Sequence, residues 1–108
     1  MNGNDSMMKP IVKLRGHVGS IFLVGQFDFN AHKAFRQASQ ELLDNSDITE
    51  IEVDFDQVPY LDSSALGMLL LLKERTSSAG KGLALVNCRE TVRQVLEIAC
   101  FTKLFNIS

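Results

Sequence analysis

Ile11-Val12-Lys13-Leu14-Arg15 alternates in character, with Val12 and Leu14 on one face and Lys13 and Arg15 on the other, the period of a half-exposed strand. Gly16 to Ser20 carries two glycines and predicts a hairpin turn. Ile21-Phe22-Leu23-Val24 is a continuous apolar run rich in strand formers and predicts a buried second strand. From Asn30 the period changes. Ala31, Ala34, Phe35, Ala38 and Leu42 recur at helical spacing, while Lys33, Arg36, Gln40 and Glu41 fall elsewhere on the wheel. Asn30 is placed to cap this helix, its side-chain oxygen accepting from an orphan first-turn amide. Asp44-Asn45-Ser46-Asp47 should end it, and Ile51 to Phe55 alternates again as a third strand.

Ala65 to Leu72 is an apolar run that a strand or a buried helix would equally explain. It holds Ala, Leu and Met around one Gly and no β-branched residue, so the expectation is a largely buried helix from Ser64 to Ser77. Leu83 to Val86 predicts a fourth strand. Asn87 with Glu90 three positions on resembles a capping box, followed by a helix with Val92, Val95, Leu96 and Ala99 inward. Leu104 to Ile107 predicts a last short strand. Strand–strand–helix–strand–helix–strand–helix–strand is the order of an α/β domain, a mostly parallel sheet begun by an antiparallel hairpin and covered by about three helices. Residues 1–9 lack periodicity and are expected to form a flexible leader, with the domain over 10–108.

Composition narrows the functional classes. A chain of 108 residues, 45% apolar and 22% charged, is one globular domain. A net charge of −2 with scattered basic residues speaks against nucleic acid. No run is long enough to insert in a membrane, and the polar amino terminus is unlike a signal peptide, so a cytoplasmic location is expected. Cys88 and Cys100 read as buried free thiols of a reducing compartment. They form no CxxC pair and lie far from His17 and His32, so no metal and no other cofactor is expected.

The chemistry concentrates at Val58-Pro59-Tyr60-Leu61-Asp62-Ser63-Ser64-Ala65-Leu66-Gly67, a strand-to-helix junction. Helix amino termini leave amides unpaired, so Asp and Ser there are first of all capping residues. Asp62-Ser63-Ser64-Ala65-Leu66-Gly67 also resembles the signature of STAS domains, named after sulphate transporters and anti-sigma-factor antagonists. Val24-Gly25-Gln26-Phe27-Asp28 is similar to the turn after that family's second strand, and the likeness extends over roughly residues 11 to 107.

The resemblance implies an anti-anti-sigma regulator of bacterial transcription that works by partner switching. Ser63 would be the phosphorylated serine. Asp62, Ser64, Asp28, Phe27 and Asn30 would lie on the partner-binding face, with Ser64 more a cap than an acceptor. The implied partners are an anti-sigma factor that is also a serine kinase, bound when Ser63 is unmodified, and a PP2C-type phosphatase. Two departures stand out: Gln26 replaces the family's usual Glu, and the chain stops at Ser108 where many relatives continue into another helix. If that end is native, one sheet face is less covered, or is covered by a second copy, as in a homodimer, or by a partner. A non-switching STAS scaffold in a transporter-associated or signalling complex is the alternative. An enzyme is not expected. The junction is not a GxSxG elbow, spacing identifies no base for a Ser63 or Ser64 nucleophile, and His32 reads as a surface or helix-side residue.

Overall fold

Strands β1 (Ile11–Arg15) and β2 (Val18–Val24) pair antiparallel across a tight turn at Gly16 and His17, where Gly16 takes φ +61°. The structure, a computed structural model, describes residues 8–108. Gly19 and Ser20, expected in the turn, belong to β2. Gly19 is a packing glycine: a Cβ there would stand 2.5 Å from Leu42 Cδ2. Most of the expected leader lies outside the described residues; of its last two, Met8 is buried and the Lys9 amide donates to Val24 O at 3.1 Å.

Three βα steps follow: α1 (His32–Leu43), β3 (Glu50–Gln57), α2 (Ser63–Ser78), β4 (Gly82–Val86), α3 (Glu90–Ile98) and β5 (Asn106–Ile107). The strands lie in the order β1-β2-β3-β4-β5, antiparallel at the first pairing and parallel at the others. Each parallel crossover steps the same way across the sheet. Right-handed connections therefore put every helix on one face. The register agrees, since Ile21, Val53 and Leu85 form one cross-strand row and Gly19, Ile51 and Leu83 the next. The large side chains of these rows share one core with Phe35 and Leu42 of α1, Leu69 and Leu72 of α2, and Val92 and Leu96 of α3.

Helix boundaries were legible to within a residue or two, but the caps were not. Asn30 does not cap α1. A 3-10 turn over Phe29–Ala31 precedes that helix, capped by Asp28, whose carboxylate accepts from the Asn30 amide at 3.0 Å. Asn87 does not cap α3 either; Arg89 holds that position and its side chain makes no capping bond. Asn87 instead sits at φ 56°, which Asn tolerates, and donates its Nδ2 to Asp54 Oδ2 at 2.8 Å. Cys88 is buried, whereas Cys100 is exposed; both are free. Cys100 follows the end of α3 in the left-handed conformation that lets a helix terminate.

Two glycines test this packing in opposite directions. Gly67 lies on the exposed side of α2, with open space where a Cβ would go. Gly67→Ala should raise stability by about 0.5–1 kcal/mol. Gly19→Ala should lower it by roughly 1–3 kcal/mol through overpacking against Leu42. Urea denaturation of the two variants measures both.

Candidate functional site

Both loops of the site leave the sheet at the carboxyl ends of adjacent parallel strands. After β2, Gly25 takes φ 107°, a conformation that favours glycine, and its amide donates to Gln57 O at 3.1 Å. Pairing then resumes beyond the strands as a parallel bridge between Phe27 and Leu61. The Phe27 amide donates to Tyr60 O at 3.1 Å and the Asp62 amide to Phe27 O at 3.2 Å. This bridge locks the loop before α1 to the loop before α2. Residues about 35 apart in sequence thus become neighbours.

The two loops end alike. Asp28 caps the 3-10 turn, and Asp62 caps α2 from an extended conformation, its Oδ1 accepting from the Ala65 amide at 3.0 Å. Leu66 N donates to Asp62 O at 3.2 Å, so both oxygens of the aspartate that face the helix are engaged. Ser63 is the first residue of α2 and is exposed; Ser64, the second, is half-buried. The cap is therefore Asp62 and not Ser64. Among the described residues, the amides of Ser63 and Ser64 have no protein acceptor and neither hydroxyl makes a hydrogen bond.

Of the residues singled out in the sequence, Asp28, Asn30, Asp62, Ser63 and Ser64 all sit on these two joined loops or the helical turns they lead into. Phe27 does as well, but its ring is 0% exposed and packs against Phe35 and Phe55 at centroid distances of 5.0 and 6.1 Å. Its contribution is the backbone bridge, because its side chain belongs to the core. The aromatic surface at this edge comes from Phe29, 69% exposed, and Tyr60, 49% exposed. Sequence reasoning assigned neither a role. Phe29 lies two residues from Phe27, and only the burial of one ring and exposure of the other tells them apart. His32 stacks on Phe29 with ring centroids 6.5 Å apart and lines a shallow groove with Met68 and Leu71 of α2.

A second polar cluster braces the same strand ends from the other side. Asp54, 8% exposed, accepts from Asn87 Nδ2 and from the Asp56 amide at 2.9 Å, while Arg89 Nε donates to Asp56 O at 2.6 Å. Burial pushes the neighbouring Cys88 thiol up to about 11, despite the nearby Arg93, so little thiolate exists at neutral pH. Among the described residues no group of three or more His, Cys, Asp or Glu is placed to hold a metal ion, and no helix is long and apolar enough to cross a membrane.

A hairpin-led, otherwise parallel five-stranded sheet with three helices is the architecture of the STAS class. The chain belongs to that family: its profile, described as Mlab, STAS domain, matches residues 12–106. A STAS-domain containing protein of Pseudomonas aeruginosa is 43% identical over 91 residues, 82% of this chain and 86% of that protein. The fold is similar to an anti-sigma factor antagonist from Mycobacterium paratuberculosis, with TM-score 0.83 and 19% identity over 94% of this chain and 86% of the other. It is similar to the anti-sigma factor antagonist SpoIIAA in its unphosphorylated form, with TM-score 0.77, 20% identity and 92% and 87% coverage. A sulfate transporter family protein from Wolinella succinogenes matches with TM-score 0.71, 18% identity and 89% and 75% coverage. At these identities the likeness of the solved structures is one of fold.

The cap can be tested without any partner. Asp62→Ala removes the acceptor of the Ala65 amide and should cost about 0.5–2 kcal/mol. Asp62→Asn, which retains an acceptor oxygen, should cost much less. Thermal and urea unfolding of the two variants give the difference.

Proposed function

We propose that this chain is a partner-switching binding module of the anti-anti-sigma type, with Ser63 as its phosphorylated residue. Unmodified, it binds an anti-sigma factor that is also a serine kinase; phosphorylated, it releases that partner, and a PP2C-type phosphatase resets it. The observation that carries the reading is the exposure of Ser63 at the first position of α2, beside unpaired amides and an exposed aromatic pair. A kinase can reach that hydroxyl.

The chemistry of the switch follows from the position. A phosphoserine carries about −1.5 to −2 charges and three acceptor oxygens. The free amides of Ser63 and Ser64 and the helix dipole would hold the group, so the fold would survive modification. The group would nevertheless place negative charge beside Asp62 and bulk on the edge that exposes Phe29 and Tyr60. Like charges and unpaid desolvation at an interface cost several kcal/mol, and each 1.4 kcal/mol is tenfold in affinity. Binding is switched off by local electrostatics, with no need for unfolding. In this reading the module acts by binding, a role compatible with Asp28 and Asp62 engaged as caps and Cys88 held as a buried thiol.

Incubation with the candidate kinase and ATP, followed by peptide mapping, should find phosphate on Ser63 and none on the Ser63→Ala variant. The phosphorylated protein should bind at least about a hundredfold more weakly than the unmodified one. No transfer to Ser63 by a kinase active on another substrate would overturn the reading.

The match to a transporter-family protein keeps a second reading in view, a STAS scaffold that does not switch. Affinity for a purified partner separates the two. A switch loses binding in Ser63→Asp and keeps it in Ser63→Ala, whereas a scaffold binds equally well through all three forms.

A further inference from the structure

Among the described residues every helix lies on one side, and none covers the second face of the sheet. Ile11, Lys13 and Arg15 of β1, Val18, Ser20, Phe22 and Val24 of β2, and Glu50, Glu52, Asp54 and Asp56 of β3 alternate away from the core rows. None of them joins the core cluster. The molecule is correspondingly flat, 20 Å in its thinnest dimension against 38 and 34 Å in the others. Val24 and Ile11 are 40% and 47% exposed on this face.

Charge on the face is sorted by strand. β1 carries cations and β3 carboxylates, with β2 neutral between them. Register sets them on common rows: Lys13 with Ser20 and Glu52, Arg15 with Val18 and Glu50, and Ile11 with Phe22 and Asp54. Two strand spacings, roughly 10 Å, separate cation from carboxylate on each row. Within one chain the charges are therefore poorly matched. Arg15 reaches Glu52 diagonally at 4.0 Å while 76% exposed, and Lys13 lies over the Phe22 ring at 5.4 Å.

We propose that this face is covered by a second copy of the same chain. A two-fold axis between the faces and nearly parallel to β2 keeps every row at its own level and exchanges β1 with β3. Lys13 of each copy then meets Glu52 of the other, Arg15 meets Glu50, and Phe22 packs on Phe22. This is an isologous contact of the aligned sheet-on-sheet kind. The row matching carries the inference: cation and carboxylate stand at equal heights on either side of a neutral strand, the arrangement a two-fold axis along that strand makes complementary. The pairing does not rest on the reading of Ser63, which lies on the helix-bearing side and stays accessible in the dimer.

Sedimentation equilibrium of the full chain should show a dimer at low salt that dissociates as salt screens the ion pairs. Lys13→Glu/Arg15→Glu and Glu50→Lys/Glu52→Lys, each checked for retained secondary structure by circular dichroism, should each be monomeric. Mixed in equal amounts, the two should form a heterodimer, because the reversed cations of one face the reversed carboxylates of the other. A wild-type chain that stays monomeric at low salt overturns the inference and leaves the face to a partner of different sequence. A dimer that survives both charge reversals also overturns it. Phosphorylation of Ser63 in the monomeric variants reads the switch separately.

Discussion

The parallel pairing of β2 with β3 is the interaction on which the site depends. It aligns the carboxyl ends of two strands that lie about 30 residues apart in the chain, and the Phe27–Leu61 bridge carries the alignment past the sheet into both loops. Without the bridge, Asp28 and Asp62 would cap their separate helices with no fixed relation between them. With it, backbone hydrogen bonds of 3.1 and 3.2 Å join the two caps into one surface. The buried Phe27 ring anchors the bridge to the core, so a residue that touches no partner still shapes what a partner would meet.

Capping and display are met by the same few atoms. Asp62 satisfies the first turn of α2 with its carboxylate and its carbonyl, which frees the following hydroxyl from that task. Ser63 is thereby left at the surface with unengaged amides beside it. Had the serine been the cap, its oxygen would have been held by a backbone N–H and turned inward. Division of labour between Asp62 and Ser63 leaves the first hydroxyl of the helix exposed, the feature on which the proposed switch rests.

The same topology that gathers the loops also strips one face of the sheet. Crossovers that step in one direction with one hand cover one side only. Among the described residues that side carries no helix, and its polar side chains partner one another: Ser20 donates to Glu52, Asn87 to Asp54, and Lys13 lies over the Phe22 ring. The site lies on loops beyond the carboxyl ends of β2 and β3, whereas that face is formed by the side chains of the strands themselves.

Periodicity determined the element order and the alternation of Lys13 and Arg15 against Val12 and Leu14, and residue type, Ala, Leu and Met with no β-branched side chain, decided the helical state of Ala65 to Leu72, because these depend on neighbours within a turn or along one strand. The resemblance in Asp62 to Gly67 pointed to the serine. What the sequence could not decide were questions of distant contact. Gly19 read as a turn until Leu42 lay against it, and Asn87 read as a cap although its partner, Asp54, is 33 residues away. Phe27 and Phe29 are the same residue type two positions apart, and only the packing of the first against Phe35 and Phe55 made the second the exposed one. Local pattern fixes which face a side chain takes; which faces are covered is settled when the strands choose their neighbours, and that choice belongs to the whole chain.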